Sequence, residues 1–158
     1  MKPTPKGWPR ISSSIYYEDP AAAIDWLVTA FGFEVRLKVE GEGEGEGGAI
    51  VHSELTFGDG LVMVGGVGTR TPGKEAWQAH QVSPRGQSGG NTQTLCLFVD
   101  DVDAHCAHAR KAGATVFREP ETSDYGEDYW ADRSYGATDP EGHMWWFMKR
   151  VREPHDKG

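Results

Sequence analysis

The chain has 158 residues and a mass of 17.4 kDa, the size of one ordinary domain, which buries about 68–70% of its unfolded surface without needing a disulfide or structural metal. Sixteen Lys and Arg against 24 Asp and Glu give a formal charge of −8, which argues against nucleic acid as a partner, because that affinity rests on clustered basic side chains. No apolar run approaches the roughly 18 residues of a membrane span, and Met1-Lys2-Pro3-Thr4-Pro5 lacks a signal-peptide core, so the expectation is a cytoplasmic protein without a membrane partner.

Residues 11–17 are rich in apolar side chains and predict a first strand. Asp19-Pro20 follows, an N-cap with Pro at the first helical position, where a missing N–H costs nothing. Ala23, Ile24, Leu27, Val28 and Phe31 recur at helical spacing, and Gly32 stands where a left-handed terminal residue is wanted, so residues 21–31 are predicted as a helix. Residues 33–39 alternate apolar and charged, as a half-buried strand does. The stretch 41–48 alternates Gly and Glu; it has nothing apolar to bury and is expected to be a loop. Its three glutamates would repel a phosphate, so it is not a phosphate-binding loop. Residues 52–57 and 61–64 read as two strands around Gly58-Asp59-Gly60.

Residues 69–90 carry Pro72, Gly73, Pro84, Gly86, Gly89 and Gly90 and read as a linker with at most one helical turn near Trp77. Beyond it the order repeats. Residues 94–99 predict a strand, Asp100-Asp101 a cap, and Val102, Cys106, Ala109 and Ala112 a helix over 102–112 ending at Gly113. Residues 115–118 predict a strand, 119–132 a long acidic and aromatic loop, and 134–138 and 144–148 a strand pair around Asp139-Pro140-Glu141-Gly142-His143. The two caps, Asp19 and Asp101, are 82 residues apart. The order strand, helix, strand, strand, strand therefore occurs twice.

A duplicated βαβββ module with Val99-Asp100-Asp101-Val102 at the second helix, Tyr135-Gly136-Ala137-Thr138 before the Asp-Pro-Glu-Gly-His turn and Trp145-Trp146-Phe147 after it resembles the vicinal oxygen chelate superfamily of glyoxalases, bleomycin-resistance proteins and extradiol dioxygenases. The resemblance covers about residues 9–150. It implies an α+β fold in which two βαβββ modules, 9–68 and 91–150, form one domain with a cupped eight-stranded mixed sheet and helices on its outer face. Residues 1–8 and 151–158 are then tails.

Enzymes of this superfamily hold a divalent metal on the concave sheet through His, Glu or Gln. Carried over by distance from the caps and the turn, those positions fall on Ser12, Met63, Thr94 and Trp146. Shifting a strand by one residue adds only Gln93. No such set supplies the several oxygen or nitrogen donors a divalent ion needs, so no metal and no other cofactor is expected, and with the metal goes its Lewis-acid chemistry. What stands there suits a flat organic ligand, mostly apolar with two hydroxyls. The resemblance is closest to metal-free, bleomycin-resistance-like members that sequester or carry an aromatic or cationic small molecule. Tyr125 and Trp130 would complete the ligand-binding set of Ser12, Met63, Thr94 and Trp146, with Glu127 and Asp128 drawing positive charge to the mouth. The alternative use of these residues is a cavity plugged by Met63 and Trp146; the alternative function is a metal-dependent lyase or dioxygenase with ligands elsewhere, His52 and Glu54 on one strand face being its seed.

Other reactive residues carry less. His105 and His108 are expected near the surface of the second helix, Cys96 and Cys106 as small buried apolar residues, and Asp139 as an acceptor for the backbone of its turn, with His143 at its end. No Ser-His-Asp or Cys-His arrangement is legible, and no catalytic residue is assigned. Modules in this superfamily pair within or between chains, which implies a homodimer.

Overall fold

The structure is a computed structural model and describes residues 1–41, 49–68 and 76–155. The chain forms two compact units, Met1–Ser88 and Gly89–Gly158. The first contains β1 (Ser13–Tyr17), α1 (Pro20–Phe31), β2 (Glu34–Glu40), β3 (Ile50–Phe57) and β4 (Gly60–Gly66), then two short 3-10 helices at Ala76–His80 and Pro84–Gln87. The second contains β5 (Leu95–Phe98), α2 (Val102–Lys111), β6 (Thr115–Asp124), β7 (Ala131–Thr138) and β8 (Met144–Arg152). This is the α+β class with two βαβββ modules. The eight strands form two four-stranded mixed sheets, ordered β1-β4-β3-β2 and β5-β8-β7-β6. In each, the first and last strands of the module pair in parallel and the remaining pairs are antiparallel. No helix of the described residues is long and apolar enough to cross a membrane.

Both helices begin where a carboxylate can serve the exposed backbone donors. The Asp19 carboxylate accepts from the Ala22 N–H at 3.0 Å, and Asp101 accepts from Ala104 at 2.9 Å. α1 stops at Gly32, whose φ of 81° lets its N–H turn back to the Val28 carbonyl. Ala23, Ile24, Leu27, Ala30 and Phe31 are buried on α1, against Ile15, Tyr17, Leu55, Val62 and Val64 of the first sheet's core. Val102, Cys106 and Ala109 of α2 are likewise buried, with Tyr135, Ala137, Trp145 and Phe147 in the core beneath them.

The loop expected at 41–48 and the helical turn near Trp77 fall partly on residues 42–48 and 69–75, which lie outside the described residues. One expected loop is corrected. β6 runs on through Asp124 and β7 begins at Ala131, so the connection is 125–130 rather than 119–132. The polar stretch reads as loop because it has no apolar alternation; pairing with β7 makes it strand. Its Pro120, which has no N–H to give a ladder, falls where the β6–β7 register shifts between Arg118 and Glu121.

The turn before β8 is built around one side chain. Buried Asp139 accepts through Oδ1 from the backbone N–H groups of Glu141 and His143, both at 3.0 Å. Its Oδ2 accepts from the Trp145 indole Nε1 at 3.1 Å. The turn is thereby fixed to the core, and the phase of β8 with it: Trp145 and Phe147 go inward, Trp146 to the other face.

Candidate functional site

The sheet face of the second unit opposite α2 is aromatic. Trp146 lies beside Gly136 on β7 and Cys96 on β5. Gly136 is glycine for a reason: a Cβ there would stand 2.3 Å from Cε2 of Phe117, so only its absence lets that ring lie over β7. The Phe117 ring meets Trp146 edge-on, centroids 5.4 Å apart, and the Arg118 guanidinium carbon stands 5.7 Å from the Trp146 ring centre. Phe98 and Phe117 remain 60% and 42% exposed, so this aromatic surface is not consumed by the core. Trp146 is half-buried and does not act as a fully enclosed plug.

Tyr125 and Trp130 sit together at the β6–β7 connection, ring centres 5.6 Å apart, with Tyr129 edge-on to Trp130 at 6.2 Å. Arg150 stands over Trp130 at 5.1 Å and donates from Nε to Asp132 at 2.5 Å. Arg152 pairs with Asp124. The Gly126 N–H, with Arg152 beside it, holds the Asp124 carboxyl below the usual range. Thr94 is exposed just before β5. Within the second unit, Trp146 and the Tyr125–Trp130 pair are thus two aromatic groups, each carrying an arginine on a ring face.

In the first unit Met63 lines a cavity of about 220 Å³ with Ser14, Tyr16, His52, Gln78 and Gln81. The structure pairs Met63 with Ser14; Ser12 precedes β1, half-buried, and is not part of this lining. The Gln81 amide donates to the Tyr16 hydroxyl at 2.8 Å. His52 and Glu54 do share a face, and their side chains meet, Nε2 to Oε1 at 3.0 Å. The other Glu54 oxygen is taken by Arg36 Nε at 3.3 Å. Arg36, which spacing alone did not reveal, also donates to the Gly7 carbonyl and lies 5.6 Å from the Trp8 ring centre.

Two expectations for reactive residues change. Cys96 is exposed, because it takes the Trp146 side of β5; packing around its sulfur nevertheless pushes the thiol up, away from a reactive thiolate. Cys106 is buried as expected. His105 is not a surface residue: it is half-buried, with Nδ1 2.7 Å from the Tyr135 hydroxyl and its ring 4.4 Å from that of Phe147. Its place beside the apolar stripe of α2 allows that packing, while His108 is exposed.

The donor chemistry at the positions carried over from the superfamily's metal site does not fit a divalent ion. Trp146 offers a ring N–H and no lone pair, and Met63 a weak thioether. Among the described residues no three His, Cys, Asp or Glu side chains come together, and at the alternative seed Arg36 occupies the second oxygen of Glu54.

Residues 10–147 match the family described as the Glyoxalase/Bleomycin resistance protein/Dioxygenase superfamily. An uncharacterized protein of Mycobacterium bovis is 32% identical over 145 residues, 92% of this chain and 86% of that one. Among solved structures, TioX from Micromonospora sp. ML1 superposes with a TM-score of 0.64 at 28% identity, covering 91% of this chain and all of the other. TnmS3, an antibiotic binding protein from Streptomyces sp. CB03234, superposes with a TM-score of 0.55 at 19% identity, covering 90% and 93%.

Proposed function

The chain belongs to the Glyoxalase/Bleomycin resistance protein/Dioxygenase superfamily, and from that premise we propose that it is a binding protein, holding an aromatic small molecule against the open face of its second sheet without a metal. The observation that carries this reading is the half-buried Trp146 with Phe117 edge-on at 5.4 Å and exposed Phe98 on the same module. A tryptophan and its neighbours offer roughly 150–250 Å² of apolar contact to a flat ligand. At about 25 cal/mol per Å² that amounts to a few kcal/mol, enough for micromolar binding when several rings contribute. Of the positions carried over from the superfamily's metal site, Trp146 offers a ring that stacks rather than a donor that coordinates. One similar structure is that of an antibiotic binding protein, which supports the same use of the fold.

The arginines refine the ligand class. Arg118 over Trp146 and Arg150 over Trp130 already take the place a ligand cation would have on each ring. A neutral or anionic aromatic compound therefore suits the site better than a cationic one, and Tyr125 with Trp130 form a second stacking point rather than a cation trap.

Titration of flat aromatic antibiotics, neutral, anionic and cationic, bleomycin among them, against intrinsic tryptophan fluorescence tests this. We expect saturable quenching by neutral or anionic members, weakened about tenfold or more in Trp146→Ala, the loss of one stacking partner, and largely kept in Trp146→Phe. Absence of any binding, or equal binding by a folded Trp146→Ala protein, overturns the proposal.

A further inference from the structure

We propose that Phe117 is the size-determining residue of the Trp146 face: its ring stands where the far end of a longer fused-ring ligand would lie, and so restricts the site to compounds about as long as the indole they stack on. The proposal rests on the binding reading above and names the residue that sets its selectivity. The β6–β7 register passes from Val116 beside Ala137 to Arg118 beside Gly136, and Phe117 falls in the shift between them. Such an irregularity re-aims a side chain. Here it turns the ring onto the backbone of Gly136, where an added Cβ would collide with Cε2 and Cζ of that ring. Tyr135 and Ala137, the neighbours of Gly136 along β7, are buried in the core. Strand alternation therefore puts the floor at Gly136 on the opposite face, the one that Trp146 takes beside it.

A glycine inside a strand marks a place where a ligand or another stretch of chain comes close to the backbone. At Gly136 the visitor is an aromatic ring of the same chain, and its setting is that of a stand-in rather than of core. Phe117 stays 42% exposed, while Tyr135 and Phe147 on the other face are fully buried. It touches Trp146 edge-on at 5.4 Å between centroids, and a phenyl ring has no hydrogen-bonding group to anchor it. The other neighbour of the indole is tethered: the Arg118 guanidinium donates to Glu121 at 3.1 Å and to Ser123 at 3.4 Å. A ligand stacked on Trp146 therefore meets one apolar side chain when it extends toward Gly136. A compound of two fused rings matches the indole in length. A third ring runs past it and needs the place over Gly136 that Phe117 fills.

The probes are naphthalene-2-carboxylate and anthracene-2-carboxylate, which carry the same charge and differ by one fused ring, titrated calorimetrically into the purified full chain. We expect the parent to bind the anthracene no more tightly than the naphthalene. Phe117→Ala, a change at a partly exposed position, should tighten the anthracene about tenfold, the worth of one more aromatic contact, and leave the naphthalene within about twofold. Phe117→Tyr, which keeps the ring, should keep the parent's preference. In a Phe117→Ala, Gly136→Ala double variant the added methyl raises the floor, and most of the gain should disappear; where that variant unfolds, the two single variants at Phe117 still decide. The proposal is overturned by a naphthalene-to-anthracene ratio that does not move in Phe117→Ala, by a Phe117→Tyr protein that gains as the alanine variant does, or by a gain that survives in the folded double variant. Each of these leaves the binding reading standing, because the naphthalene still binds. If neither compound binds the parent or Phe117→Ala, the binding reading falls and the size role with it.

Discussion

Tyr135 shows how much of this fold hangs on single buried polar groups. Its hydroxyl meets His105 Nδ1 at 2.7 Å and its ring stacks on Phe147 with centroids 5.0 Å apart. Burial pushes the phenol well above its ordinary value. The folded chain therefore keeps this proton at a pH where the unfolded chain has lost it. The stability the group contributes is complete below about pH 10, the unfolded value, and is lost as pH rises from there through the folded value. Tyr135→Phe should lower unfolding free energy by about 1 kcal/mol at neutral pH, through the missing hydrogen bond. The gap between the two proteins should then narrow above about pH 10. Denaturant titrations at neutral and alkaline pH measure it; a gap that stays constant would mean the phenol is not shielded. That His105 faces this phenol was not legible in the sequence, because a His beside an apolar stripe reads the same whether its ring turns to solvent or lies over a neighbouring aromatic.

Among the elements, the Asp139 turn is the one whose removal should cost most. Its single carboxylate serves two backbone N–H groups and the indole of fully buried Trp145. Asp139→Ala strands those donors, at roughly 1–3 kcal/mol for each that water cannot reach. We expect a loss of about 3 kcal/mol or more in equilibrium unfolding, and a smaller loss for Asp139→Asn, which keeps one acceptor oxygen. An alanine variant as stable as the parent would show that water replaces the carboxylate. This turn was legible because Asp-Pro-Glu-Gly places an acceptor, a rigid φ and a positive-φ glycine in order, and Gly142 indeed has φ 93°. The helices were legible for similar local reasons, cap and stripe agreeing. The far half of β6 was not, since Glu119–Asp124 becomes strand only through its partner β7. The site divides along the same line. Trp146 and Met63 follow from strand phase, and His52 with Glu54 from their spacing of two. Ser14, and not Ser12, lines the cavity with Met63, because β1 starts two residues later than the apolar-rich segment. Arg36 was hidden by the irregularity between Val35 and Leu37, which breaks the alternation that would have placed it beside Glu54.

The whole molecule leaves apolar side chains outside its two cores, and their position bears on its assembly state. β2 lies at one edge of the first sheet, and its Val35, Leu37 and Val39 are 45%, 42% and 40% exposed. An edge strand with free backbone groups and exposed apolar side chains is a template for association unless charge protects it. Glu34, Arg36, Lys38 and Glu40 intervene, but Arg36 is engaged with Glu54 and Lys38 with Glu40 at 2.7 Å. The local protection is therefore partly spent, and a second copy of the chain is the occupant that symmetric closure favours. The opposing term is global: each chain carries −8, so two copies repel, and salt screens that repulsion over roughly 8–10 Å at physiological strength. We expect light scattering at micromolar concentration to give about 35 kDa, twice the 17.4 kDa of one chain, with the dimer fraction rising as salt is added. Leu37→Glu, which places a charge in the exposed row without touching either core, should return the mass to that of one chain. A parent protein that remains monomeric at every ionic strength would mean that the charges on β2, engaged as they are, suffice to keep the edge single.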